Sequence, residues 1–111
     1  MHFLQALTQQ VPGAQPIIDE HLAEYDEVLL HLLVADLQRW AVALFDDGDS
    51  AQLSDLLALV DQGLRDGDEQ VTNAVAVSFV ENSEPWNGVT RPFIQAWPAD
   101  LRAEAERQQR S

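Results

Sequence analysis

From Ile18 to Leu44 the apolar residues Ile18, Leu22, Tyr25, Leu29, Leu32, Leu33, Leu37, Trp40 and Leu44 recur at steps of three and four. Side chains at those steps share one face of a helix, so this stretch must bury a helical stripe against something else. A single helix of that length would be unusual in a small chain, so a break is expected near Tyr25-Asp26-Glu27. The turn-forming run Asp46-Asp47-Gly48-Asp49 ends the pattern.

The flanking segments read the same way. Met1 to Val11 carries Phe3, Leu4, Leu7 and Val11 at helical spacing and is closed by Pro12-Gly13, after which Pro16 suits the first turn of the next helix. Leu53, Leu56, Leu57, Val60 and Leu64 form the stripe of a helix capped by Asp49 or Ser50. Arg65-Asp66-Gly67-Asp68 makes a tight turn, with Gly67 just past one helix and Asp68 capping the next. That next helix carries Val71, Val75, Val77, Phe79 and Val80. Valine favours strands, so a strand at Val75–Val80 competes, but Ala74, Ala76 and the capped turn favour helix. Asn82 to Asn87 reads as a loop, in the run Ser83-Glu84-Pro85-Trp86-Asn87-Gly88. Thr90 is placed to cap a short helix from Arg91 to Trp97, and Pro98 to start a last one from Ala99 to about Gln109 whose few apolar residues hold its end loosely.

The expected fold is therefore all-α: one domain over residues 1–111, a compact bundle of five to six helices. Its centre is a HEAT-like helical hairpin from Leu53 to Asn82, without the second copy that a solenoid would require. A chain of 111 residues can bury one real core, and with no Cys it has neither a disulfide framework nor a thiolate ligand. No apolar run approaches a membrane span, and the N-terminus lacks the marks of a signal peptide, so a cytoplasmic location is expected.

Charge constrains the partners. There are 19 Asp and Glu against six basic residues, all of them Arg, for a net charge of −13. Residues 1–90 carry 16 acids and two Arg; residues 91–111 carry three acids and four Arg. Nucleic acids and anionic membranes repel such a chain, whereas a basic protein is attracted and steered to it. Acidity can also serve solubility alone.

Sites for chemistry fail one by one. Asp47-x-Asp49 starts like a calcium loop, but Ala51, Gln52 and Ala58 stand where a third ligand, a glycine and a glutamate are needed. Glu20, Glu24, Glu27 and His31 could share one side of a helix, yet no Glu-x-x-His pair exists for a carboxylate-bridged metal; a solvated acidic stripe is the simpler reading. Ser78 lies in an apolar helix, where bonding back to a carbonyl is the usual fate. A phosphate cradle is missing, since no glycine-rich loop and no Lys exist. Asp36 and Arg39, between Leu33, Leu37 and Trp40, fit either a buried or half-buried ion pair or, more simply, a pair at an exposed edge. No enzyme, cofactor or metal is expected.

The segment Asn73-Ala74-Val75-Ala76-Val77-Ser78-Phe79-Val80-Glu81-Asn82, together with Pro85-Trp86 and Phe93-Ile94-x-x-Trp97-Pro98-x-x-Leu101-Arg102, resembles a family of small bacterial helical proteins catalogued as a domain of unknown function. The likeness covers the C-terminal half, with a looser fit from Leu29 to Phe45. It implies an all-helical fold and no catalytic residues. In size and acidity, though not in motif, the chain is also similar to immunity proteins of bacterial toxins.

These readings converge on a binding protein whose partner is a basic protein, such as a toxin to be neutralised. The alternative is a non-catalytic adaptor or structural domain, possible as a homodimer, and a mimic of DNA is a third reading. The stretch Asp46 to Glu69 holds eight acids against Arg65 alone. The expected contact residues there are Asp46, Asp47, Asp49, Asp66, Asp68 and Glu69, joined by Glu84 and Trp86 in the later loop. A loop Trp either anchors a partner or plugs its own loop onto the body, and the plug is the commoner outcome.

Overall fold

The computed structural model describes residues 2–110, so Met1, where the first helix was expected to begin, lies outside them together with Ser111. Seven α-helices occur among the described residues: α1 Phe3–Gln10, α2 Gln15–Tyr25, α3 Leu30–Asp47, α4 Ser50–Asp66, α5 Glu69–Ala74, α6 Arg91–Gln95 and α7 Ala99–Arg110. The described residues contain no strand. The count is seven and not the expected five to six, although the break in the long amphipathic stretch and the separation of α6 from α7 at Trp97-Pro98 were both expected.

The break falls at Asp26, where the length of the stretch made one expected. Asp26 takes a left-handed conformation, φ 62°, while its N–H closes α2 on the Leu22 carbonyl at 2.9 Å. Aspartate tolerates that conformation better than most residues. Across the gap the Leu29 N–H donates to Nε2 of His21 at 3.0 Å, which fixes where α3 begins. His21 is buried and tilted against the Tyr25 ring. Because the break separates Glu20 and Glu24 on α2 from Glu27 and His31, the four do not form the single stripe that one helix would have given.

α3 ends on Gly48 at φ 75°, with Gly48 N–H on Phe45 O and Asp49 N–H on Leu44 O, the paired bonds of a Schellman end. Asp49 then caps α4 by accepting from Gln52 N at 3.2 Å, and Asp68 caps α5 by accepting from Val71 N at 2.9 Å. Gly67 plays a different part from the one expected. Its backbone is extended rather than left-handed, and a Cβ there would collide with the Gly63 carbonyl oxygen and with Val71. Glycine serves here to let two helices approach, not to turn the chain.

The helix begun as α5 does not continue as α. From Val75 to Val80 it widens into a π-helix, then tightens into a 3₁₀ turn at Glu81–Ser83. No strand forms, and the helical expectation holds in modified form. This stretch buries Val75, Phe79 and Val80 but leaves Val77 exposed. Widened turns unsettle the backbone bonding pattern, and the Ala76 carbonyl accepts Nε2 of Gln108 from α7 at 2.9 Å, tying down the last helix near its end.

One buried cluster runs through the described residues. Leu7, Leu33, Leu37, Leu56, Leu59 and Phe79 are fully buried in it. α3 packs on α4 and on the π-helix, while α1 and α7 close over α4. Phe45, Phe93, Trp97 and Phe79 stack edge-to-face or tilted with centroids 5.4 to 5.5 Å apart, pinning α6 and the turn after it to the body.

Candidate interaction surface

The expected contact residues separate into three places. Asp46, Asp47 and Asp49 gather where α3 turns into α4; Asp66, Asp68 and Glu69 gather where α4 turns into α5; Glu84 and Trp86 sit in the loop before α6. At 1.5 Å per residue, the 17 steps of α4 from Asp49 to Asp66 put the first two groups about 25 Å apart, so they are two acidic ends and not one patch. Asp46, Asp47, Asp68 and Glu69 are exposed, whereas Asp49 is half-buried by its cap. Asp66 is exposed but already pairs with Arg65 at 3.3 Å.

Arg65 is shared further. Its guanidinium also reaches Asp100 at 3.3 Å and Asp61 at 3.4 Å. The hydrogen bond to Asp100 and the charge of Asp66 raise its pKa above the usual arginine value. Asp61 is buried, so the acid count of this hairpin overstates what it presents outward.

Most of the remaining acidity is free. Six of the 19 carboxylates lie in ion pairs among the described residues: Asp36, Asp61, Asp66, Asp100, Glu104 and Glu106. Asp36 pairs with Arg39 at an exposed edge, as the sequence suggested. The other acids are mostly exposed, and no group of three His, Asp or Glu among the described residues is placed to hold a metal ion.

The loop pair inverts the expectation of a plug. Pro85 is buried and Trp86 is 56 % exposed, so proline pins the loop and the indole stands outside. Just before them Glu84 adopts a left-handed backbone, φ 52°, and its carbonyl accepts the Thr90 hydroxyl at 2.9 Å. Thr90 thus braces this loop instead of capping α6 with its side chain. Trp86, Val77, Ser78, Glu81, Asn82, Ala35 and Arg39 surround a shallow recess of about 380 Å³ between α3 and the π-helix.

A second, larger groove of about 1060 Å³ brings Glu69 together with Leu30, His31, Glu104 and Arg107. Hydrogen bonding from Arg107 holds the Glu104 carboxyl below the usual glutamate range, against the opposing effect of burial. Ser78 Oγ lies 3.0 Å from Nδ1 of His31 instead of bonding back to a carbonyl. A third recess of about 510 Å³ lies between α2 and α3, with Glu20, Glu24, Tyr25 and Trp40 in its walls. Neither of these two was marked in the sequence, because each is made by helices distant along the chain or by the break at Asp26.

Residues 4–111 match the family described as a domain of unknown function, DUF7674. The chain belongs to that family. The match covers nearly all of the sequence, more than the C-terminal half on which the resemblance was read. No curated protein and no solved structure matches the chain. Among the described residues no helix is long and apolar enough to cross a membrane.

Proposed function

We propose that this DUF7674 chain is a non-catalytic binding protein that masks a basic protein partner, in the manner of an immunity protein neutralising a toxin in the bacterial cytoplasm. The observation that carries the reading is the free acidity of the surface: 13 of 19 carboxylates lack an ion-pair partner among the described residues. Unpaired surface charge of one sign raises the rate at which an opposite charge docks and makes that rate fall with salt. The two acidic ends, Asp46-Asp47-Asp49 and Asp66-Asp68-Glu69, would orient the partner along α4. The HEAT-like reading of the α4 and α5 pair belongs to this proposal, because such pairs present faces to other proteins.

The test is capture on the tagged full chain from its source organism at low salt, with Asn and Gln variants of each acidic end alongside. The expected result is a basic protein whose association rate falls with salt and with either set of substitutions, the variants remaining folded. Recovery of no basic partner, or a partner indifferent to both sets, overturns the reading.

A further inference from the structure

Three exposed apolar side chains on neighbouring elements do not belong to the core. Leu32 is 43 %, Val77 42 % and Trp86 56 % exposed. Leu32 shares an outward face of α3 with Ala35 and Arg39, at steps of three and four. Ala35 and Arg39 in turn border the recess that Val77 and Trp86 line. The outer face of α3, the π-helix and the Trp86 loop therefore meet along one strip.

Two further features set this strip apart. The π-helix is a rare backbone form that is frequent at functional sites, and it carries the exposed Val77. Glu84 holds a left-handed backbone that glutamate rarely adopts, and the neighbouring Pro85 is buried, so the loop is held with its Trp outside. A protein spends stability to keep that arrangement.

The rim charges say what fits. Glu81 and Glu84 are exposed beside the recess and have no ion-pair partner among the described residues, while Arg39 is already taken by Asp36. Aromatic residues in partly apolar recesses surrounded by polar groups are the usual anchors of protein interfaces, and an indole face also attracts cations.

We propose that this strip docks a basic amphipathic helix of the partner, with an apolar side chain in the recess against Trp86 and Val77 and with Lys or Arg facing Glu81 and Glu84. The proposal rests on the basic-partner reading above and moves the main contact from the acidic ends to the α3–π-helix strip. In this arrangement the ends steer the encounter, and the strip sets how long the complex lasts.

The test uses the full chain and three synthetic helical peptides: one with a Leu face and a Lys face, one with Glu in place of Lys, and one with Lys but Ser in place of Leu. Binding affinity and dissociation rate are measured by surface plasmon resonance at low and physiological salt, with circular dichroism to confirm the fold of each variant. The Leu/Lys peptide is expected to bind about tenfold or more tighter than either control, and Trp86→Ala to lose about tenfold of that affinity. Glu81→Gln with Glu84→Gln is expected to weaken it and flatten its salt dependence, while Asp46→Asn with Asp47→Asn leaves the dissociation rate unchanged. Equal binding by the Lys/Ser peptide, or full affinity in both Trp86→Ala and Val77→Ser, overturns this location while leaving the basic-partner reading standing. Failure of every Lys peptide to bind overturns both. Concentration-dependent self-association in sedimentation that Trp86→Ala abolishes makes the strip an interface between two copies, and likewise overturns the proposal.

Discussion

Oδ1 of Asp61, in the middle of α4, accepts the backbone N–H of Leu101 in the first turn of α7 at 2.9 Å, across 40 residues of chain. The first N–H groups of a helix have no partner within it, and the Leu101 donor is buried. A carboxylate from another helix thus does the work that a local cap usually does. Its second oxygen faces Arg65, which also reaches Asp100 near the start of α7.

Removing that acceptor is expected to cost more than an ordinary surface substitution. Asp61→Ala should lower unfolding free energy by about 1–3 kcal/mol, the cost of stranding a buried donor. Asp61→Asn keeps an oxygen in place and should lose less. Urea unfolding of the two variants against the parent chain measures both.

The joint between α2 and α3 makes a parallel case. His21 Nε2 accepts the Leu29 N–H, so the imidazole must present a lone pair there. His21→Leu conserves apolar bulk but removes the acceptor, and a loss of about 1–3 kcal/mol is expected. Amide hydrogen exchange should then show faster exchange at Leu29, with the α4 amides still protected.

Glu84 offers a gain. A left-handed backbone costs an L-residue about 1–2 kcal/mol, which glycine avoids at the expense of greater freedom when unfolded. Glu84→Gly is expected to raise stability by up to about 1 kcal/mol once both effects are set against each other. Glu84→Ala removes the same charge but keeps the backbone cost, so it should show no such gain. Thermal melts of the pair separate conformation from charge.

Glu104 sets a pH dependence. Its carboxyl is held below its ordinary value of 4.5, first by the hydrogen bond from Arg107. A depressed folded-state pKa adds stability that is fully present above the unfolded value and is lost as pH falls through the lowered folded value. The melting temperature of Glu104→Gln should therefore sit below the parent's by a constant margin from neutral pH down to about pH 5, and the margin should shrink below that. Melts across this range, with Asp100→Asn as a second substitution near the start of α7, give the comparison.

Local chemistry carried much of the architecture. The break at Asp26, the stop at Gly48 and the caps at Asp49 and Asp68 each depend on residues within a turn of one another, and each could be read from the chain. The π-helix could not, because Val75, Val77, Phe79 and Val80 present much the same apolar pattern at either helical pitch. Nor could the choice between Pro85 and Trp86 as the buried member of the loop, which the surrounding packing decides. The acidic residues were legible as a set. Their division into two ends came from the length of α4, and the withdrawal of Asp61 into the interior depended on a partner 40 residues away.

The π-helix also makes the chain sensitive to length at one place. Each residue of an α-helix turns the chain by about 100°, so a one-residue deletion between Val75 and Val80 that the wider turn did not absorb would rotate the Glu81–Trp86 segment by a fraction of a turn. Pro85 would leave its seat and the indole beside it would point elsewhere. Relatives that vary in loop length should therefore keep this six-residue stretch free of insertions and deletions.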